Sequence, residues 1–307
     1  MTGSDVSART TTPPPAPEPP SATAARLPAP GRAVPARGRA LPPWSVAALG
    51  VVLTLGVWWI GAATFLRGVG AADGAGSGAI PTPLAIGRQI AADGAGFYWT
   101  NASVTLVEAA RGYLGGNLAA MLLAVVALLL PFTERLATQI AVVSYCLPIV
   151  AVGPIVFIVL GPPRSGEPSG TAVALAAISV FFTTYVTVLA GFRTAERSAL
   201  DVVTVAGGSR WHRLTKVQLV SALPGVFSAL RIAAPAALLG AVLGEYVGGV
   251  DRGLGPAMVN AQQSLEIARV WAVALLSGGL AFLAYAVVGL VARVVTPWSS
   301  GGREGGR

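Results

Sequence analysis

The stretch Arg193 to Pro224, RTAERSALDVVTVAGGSRWHRLTKVQLVSALP, is a polar interval between two long apolar runs. From Glu196 to Val205 it has neither Gly nor Pro, and Ala199, Leu200, Val203 and Val205 fall where they cover one side of a short helix. Gly207 and Gly208 permit backbone angles that other residues resist, so the helix is expected to end there and the chain to turn. Ser209 is a good N-cap for a second short helix from Arg210 to about Val217. That helix sets Trp211, Leu214 and Val217 at helical spacing among Arg210, Arg213 and Lys216. A basic, Trp-bearing helix held out on a glycine turn is shaped to enter a cleft on a partner protein. The same composition also suits an interfacial loop whose Trp and Arg contact lipid headgroups.

The rest of the chain says what that loop is mounted on. Of 307 residues 54% are hydrophobic and 11% charged, too apolar for an ordinary soluble domain. The reading is all-α: a polytopic membrane helix bundle with about six transmembrane helices. The net charge of +8 does not point to nucleic acid, because the arginines are scattered over loops with no basic run interleaved with aromatics. Cys146 and His212 are the only residues of their kinds, which excludes an intrachain disulfide and most imidazole or cysteine metal and catalytic schemes. No metal and no cofactor is expected in this chain.

Residues 1–43 hold eleven of the 23 prolines and read as a disordered tail without the pattern of a cleaved signal. Residues 44–296 form the expected membrane domain, with the loop at about 193–227, and 297–307 a flexible C-terminal tail. Spans are expected at about 44–65, 106–130, 136–160, 171–192, 227–247 and 270–295, each long enough to cross about 30 Å of hydrocarbon. A short surface helix should begin near Pro83. With both termini inside, the inner segments carry Arg135, Arg193, Arg197, Arg210, Arg213, Lys216, Arg293 and the arginines of both tails. The outer side holds Arg67, Arg88, Arg111, Arg164, Arg252 and Arg269. The positive-inside bias therefore favours cytoplasmic termini in the cell membrane and a cytoplasmic loop.

The 193–224 stretch resembles the cytoplasmic "EAA" loop of permease subunits of binding-protein-dependent ABC importers. Asp201-Val202-Val203 occupies the E-A-A position, Gly207 the glycine, Gly208-Ser209-Arg210-Trp211 the following run, and Ala222-Leu223-Pro224-Gly225 the closing A-L-P-G. Asp replaces Glu, valines replace alanines, and Val220 stands where many members have a first proline. A literal Glu-Ala-Ala at 108–110 lacks a glycine at the required spacing and is set aside. Pro81-Thr82-Pro83, the Ser103 to Tyr113 run, Pro148, Pro154, Glu245-Tyr246 and Gly253-Leu254-Gly255 resemble the aliphatic sulfonate, taurine and nitrate branch. Glu108 takes the usual arginine position, and its T-L-x-E-A-x-x-G-Y run also looks like relatives that import pyrimidine or other vitamin precursors.

The resemblance implies a permease subunit, not an enzyme, that forms the path for a small solute such as a sulfonate or nitrate. It implies two ATPase subunits that bind the ATP, a second permease copy, an extracytoplasmic solute-binding protein and a surrounding lipid bilayer. Asp201, Ala206, Gly207, Gly208, Ser209, Arg210, Trp211, Leu214 and Pro224 would form the ATPase-coupling loop. Lys216 is the only lysine and belongs to no G-x-x-x-x-G-K-[ST] run, so this chain supplies no P-loop.

Glu245 has two readings, a residue of the solute path or its gate, and an interfacial carboxylate at headgroup level. Arg231 is expected at the inner start of the fifth span, snorkelling to the interface. Gly240, Gly244 and Gly248 give one smooth helix face, Pro235 should bend that helix, and Pro148 and Pro154 interrupt the third span, which makes all of them candidates for the translocation path. Trp58, Trp59, Trp99 and Trp271 suit an aromatic belt. Two rival classes remain: an ion-coupled secondary transporter, for which Glu245 is the one titratable candidate, and an intramembrane enzyme, which lacks an evident base.

Overall fold

The computed structural model describes residues 43–69, 78–163 and 167–298. Of the expected tails at 1–43 and 297–307, residues 1–42 and 299–307 lie outside those residues, as does Arg164. The chain divides into two compact units, Met1–Gly50 and Val51–Arg307. Of the first, only Pro43–Gly50 is described, the opening turns of helix α1 (Pro43–Ala63). The second unit carries all the other helices.

After α1 come α2 (Pro83–Leu129), α3 (Glu134–Cys146), α4 (Ile149–Leu160), α5 (Gly170–Phe192), α6 (Arg197–Val205), α7 (Arg210–Arg213), α8 (Leu219–Val247), α9 (Leu254–Gln263) and α10 (Ile267–Val295). The described residues are helical and contain no strand. Among the described residues five helices are long and apolar enough to cross a membrane, and a sixth span is made if α3 and α4 count as one. The protein is a polytopic membrane helix bundle.

The structure changes two expected elements. The surface helix does begin at Pro83, capped by the Thr82 hydroxyl accepting from the Ala85 N–H, but it does not stop before the second span. It joins that span through Gly94, whose φ of 75° places a turn inside α2 that a side-chain-bearing residue would strain. The expected single span at 136–160 is two helices, α3 and α4, bent by 101°. Pro148 has no N–H to continue the α3 ladder and stands instead as the N-cap of α4.

The core is built on α5. Gly112 and Gly116 of α2 let that helix approach it closely: a Cβ on Gly112 would lie 2.3 Å from Ala176 Cβ, and one on Gly116 2.4 Å from the Ala177 carbonyl. α8 also packs on α5, bringing Gly240, whose added Cβ would meet Ala176 Cα at 2.8 Å, and Gly244, whose Cβ would meet Ala172 Cα at 2.4 Å. In a bundle whose surroundings are as apolar as its core, such small-residue seams allow the close dispersion contact that holds helices together. Gly191 lies against Ala222 at the other end of the same pair, so α5 and α8 run antiparallel. α8 continues as helix through Pro224 and Pro235.

Candidate functional site: the loop helices and a buried carboxyl clasp

The loop takes the form its sequence suggests. Glu196 is the N-cap of α6, and the chain leaves α6 through Gly207 at φ 78°, a left-handed conformation that favours glycine. Gly208 is equally constrained, because a Cβ there would sit 2.5 Å from Val203 Cγ1. Ser209 then caps α7: its hydroxyl accepts from the His212 N–H, and the His212 ring accepts from the Ser209 N–H. The single histidine is thus half of a capping box. The second helix differs from expectation. It is α-helical only over Arg210–Arg213, passes through one turn of π-helix at Leu214–Gln218, and runs straight into α8. The loop is therefore a direct extension of a bundle helix.

Its side chains divide by role. Leu214 is buried in the core cluster with Phe192 and Ala222, and Arg210 Nη1 donates to the Leu129 carbonyl at 3.2 Å, tying α7 to the end of α2. Trp211 is 59% exposed, Val205 90%, and Val202 is exposed as well, while Asp201 and Ala206 also face outward. Of the four apolar residues expected on one face of α6, Ala199, Leu200 and Val203 are half-buried and Val205 is exposed; none is fully buried. A cavity of about 260 Å³ between Leu128, Leu129, Pro131, Leu200, Arg210, Arg213 and Gln218 opens beside the two loop helices. Val202, Val205 and Trp211 are thus held out on a rigid turn, exposed among the described residues.

At the opposite end of the bundle two carboxyls are withdrawn from solvent. Glu245, 1% exposed, accepts from the Thr105 hydroxyl at 2.6 Å and from the Gly255 N–H at 2.7 Å. Thr105 Oγ1 in turn accepts from the Leu254 N–H at 2.9 Å, and the Asn101 side chain accepts from the Gly253 N–H at 3.1 Å. Glycines are required in this turn: a Cβ on Gly253 would lie 2.5 Å from the Glu245 carboxyl carbon. Glu108, wholly buried, accepts from the Ser169 N–H at 2.6 Å at the start of α5. Together these bonds pin α2, α5, α8 and α9.

This arrangement gives three residues of the sequence reading a structural setting. Glu245 is buried near the far end of α8, held by one side-chain donor, Thr105, and one backbone donor, Gly255. Gly244, placed with the path, packs on α5 at Ala172. The set-aside Glu108 belongs to the clasp, and Thr105, Asn101 and Ser169 escape sequence reading; a lone Glu inside an apolar run is the available signal, since such a charge demands partners. Pro148 and Pro154 are exposed on α4, and Pro235 is partly buried. Of the tryptophans, Trp58 and Trp271 pack together with ring centroids 5.5 Å apart, and Trp271 Nε1 donates to the Ala79 carbonyl.

Residues 116–297, which include the loop and most of the bundle, match the family model of the binding-protein-dependent transport system inner membrane component. The chain belongs to this family. It is the permease subunit of an ABC importer. The permease is 29% identical over 208 residues to the Haemophilus influenzae "Probable ABC transporter permease protein", covering 67% of this chain and 81% of that one. It is 28% identical over 223 residues to the riboflavin transport system permease protein RibX of Chloroflexus aurantiacus, covering 72% and 81%. With the formylaminopyrimidine transport permease protein ThiX of Halalkalibacterium halodurans it shares 23% over 219 residues, covering 71% and 85%. Among solved structures, an inward-facing MetNI methionine ABC transporter chain superposes with a TM-score of 0.51 at 18% identity, over 65% of the permease and 94% of that chain. That likeness is one of fold.

Proposed function

We propose that the permease, paired with a second copy of itself, forms the membrane path for a small anionic solute such as a sulfonate or nitrate, delivered by an extracytoplasmic binding protein. Two ATPase subunits on the cytoplasmic side drive the cycle, with ATP bound by them and not by this chain. The observation that carries the coupling role is the loop: Trp211 exposed on a helix that is locked to α8 at one end and to a left-handed glycine at the other. ATPase closure would move α6 and α7, and the unbroken run from α7 into α8 would carry that motion into the bundle. Both termini and this loop then face the cytoplasm.

A second reading of the cargo, a pyrimidine or other vitamin precursor, is favoured by Glu108 at the position where the sulfonate branch has arginine, and by the names of the RibX and ThiX relatives. The partnership is tested by purifying the tagged permease from its host's membranes in mild detergent. Recovery of a P-loop ATPase with the wild type and its loss with Trp211→Ala is the expected result. A permease that comes out alone, or an ATPase held equally by Trp211→Ala, would overturn the coupling role.

A further inference from the structure

Arg231 is not where the sequence suggested. It lies twelve residues into α8, not at its start. Gly225 lies beside Gly191 and Gly240 beside Ala176, so Arg231 stands level with about Tyr185 of α5. That is seven residues, about 10 Å, inside the loop end of α5. Its guanidinium lies across α10, with Cζ 4.0 Å from the centre of the Tyr285 ring, and passes close over Gly289, where a Cβ would be 2.8 Å from Nε.

The charge has no counterpart. Nε is buried without a hydrogen-bond partner, and none of the ion pairs among the described residues includes Arg231. α5 and α10 contain no Asp or Glu, α8 has only Glu245, and α2 beyond Gly94 has only Glu108. Both belong to the far-end clasp, Glu245 fourteen residues and about 21 Å along the same helix. The Tyr285 hydroxyl likewise makes no hydrogen bond among the described residues. Ser228 and Ile232, near Arg231 on α8, are exposed. A cation inside the hydrocarbon depth is costly unless an opposite charge meets it, and the aromatic face of Tyr285 offsets only part of that cost.

We infer that Arg231 and the Tyr285 hydroxyl form a binding point for an anionic group, such as the sulfonate, nitrate or carboxylate of a crossing solute. This rests on the anionic reading of the cargo. The guanidinium offers a planar fork to two oxygens and the hydroxyl a further donor, while the ring below keeps the fork in place. A phospholipid phosphate presents the same chemistry, and the test separates the two sources.

The test uses the full-length permease with its ATPase subunits in phosphatidylcholine nanodiscs. Thermal unfolding is followed as sodium methanesulfonate or nitrate replaces gluconate at constant ionic strength. The expected result is a saturable stabilisation of the wild type, unchanged by added phosphatidylglycerol. Its half-saturating concentration should rise about tenfold or more in Arg231→Gln, and by less in Arg231→Lys, which keeps the charge but loses the fork. Tyr285→Phe keeps the ring under the guanidinium and guards against misfolding; it should raise the value about two- to threefold. Absence of saturation in the wild type, or an equal response in Arg231→Gln, would overturn the inference. A response that follows phosphatidylglycerol content instead of the added anion would assign the site to lipid and overturn the solute role. Uptake by the complete importer is scored separately: a wild type that carries riboflavin but no anion refutes the cargo reading, whereas the Arg231 site is decided by the binding curves.

Discussion

Thr105→Val tests the carboxyl clasp most sharply, because valine keeps the shape of threonine and removes only the hydroxyl. That hydroxyl donates to Glu245 at 2.6 Å and accepts from the Leu254 N–H at 2.9 Å, and its surroundings are fully buried. Losing a hydrogen bond to a carboxyl costs about 1.5–3 kcal/mol, and stranding the Leu254 N–H costs about 1–3 kcal/mol more. With no cavity to add, the total is about 2.5–6 kcal/mol, or a fall of about 10 °C in Tm for a bundle of this size. The assay is loss of the monodisperse gel-filtration peak after heating in detergent, for wild type, Thr105→Val and Thr105→Ser. Serine keeps both bonds and gives up one methyl, so it should lie within about 1.5 kcal/mol of wild type. Valine within about 2 °C of wild type, or valine and serine falling equally, would refute the reasoning; the clasp would then be incidental to stability.

Three further outcomes are expected from other parts of the molecule. Gly207→Asp puts a side chain at φ 78°, costing about 1–2 kcal/mol at an otherwise open position; the chain should insert normally while ATP hydrolysis uncouples from uptake, and normal uptake in proteoliposomes would count against the loop assignment. Gly244→Leu drives a Cβ to 2.4 Å from Ala172 Cα, backbone that cannot yield, so overpacking beyond the usual cost of about 1–3 kcal/mol should leave little folded permease in a detergent extract. A normal yield of folded Gly244→Leu would refute the seam. Asp93 precedes the Gly94 turn and so lies outside the spanning part of α2; the Arg269 hydrogen bond holds its carboxyl below the ordinary range, with Arg269 Nε donating to it at 3.0 and 3.1 Å. The folded state therefore resists protonation at Asp93 more than the unfolded chain does. The stabilisation is complete above the ordinary Asp value of about 3.9 and fades as pH falls through the lower folded value. An acid titration of Tm should show this slope in wild type and lose it in Asp93→Asn; equal slopes would refute it.

The parts of this fold that sequence reveals are those set by local chemistry. Long apolar runs announce the spans, and Gly207-Gly208-Ser209 announces the turn and cap between the loop helices, because backbone freedom and capping act within a few residues. The glycines at 240, 244 and 248 announce a close helix approach, though not which helix they meet. Where distance along the chain enters, sequence alone falls short. Thr105 and Glu245 are 140 residues apart, and no periodicity connects them. Pro148 is visible as an interruption but not as a 101° corner, since proline only removes a ladder bond and the direction taken afterwards depends on what α3 and α4 pack against. Arg231 is misplaced by sequence because hydropathy locates a span by its apolar centre, whereas α8 begins at Leu219, inside the polar loop.

The early start of α8 bears on mechanism. Had the loop been joined to the bundle by flexible chain, a push on Trp211 would dissipate in the linker. Instead, helical backbone runs from Arg210 through the π turn into α8, and α8 is seamed to α5 by glycines that leave no room for a Cβ. Close-packed helices move as rigid bodies, because a gap of even a methyl group along the seam forfeits contact energy on both sides. Displacement of the loop helices is therefore passed to α5 and α8 together. At the far end the pair carries Glu245 and Ser169, each bonded to a residue of α2, so the clasp must either move with the pair or open. Opening would leave a buried carboxyl facing stranded amide donors, a state costing several kcal/mol unless water enters. Entering water is what an opening solute path would supply, so the buried clasp would set an energetic threshold between the closed and open far end.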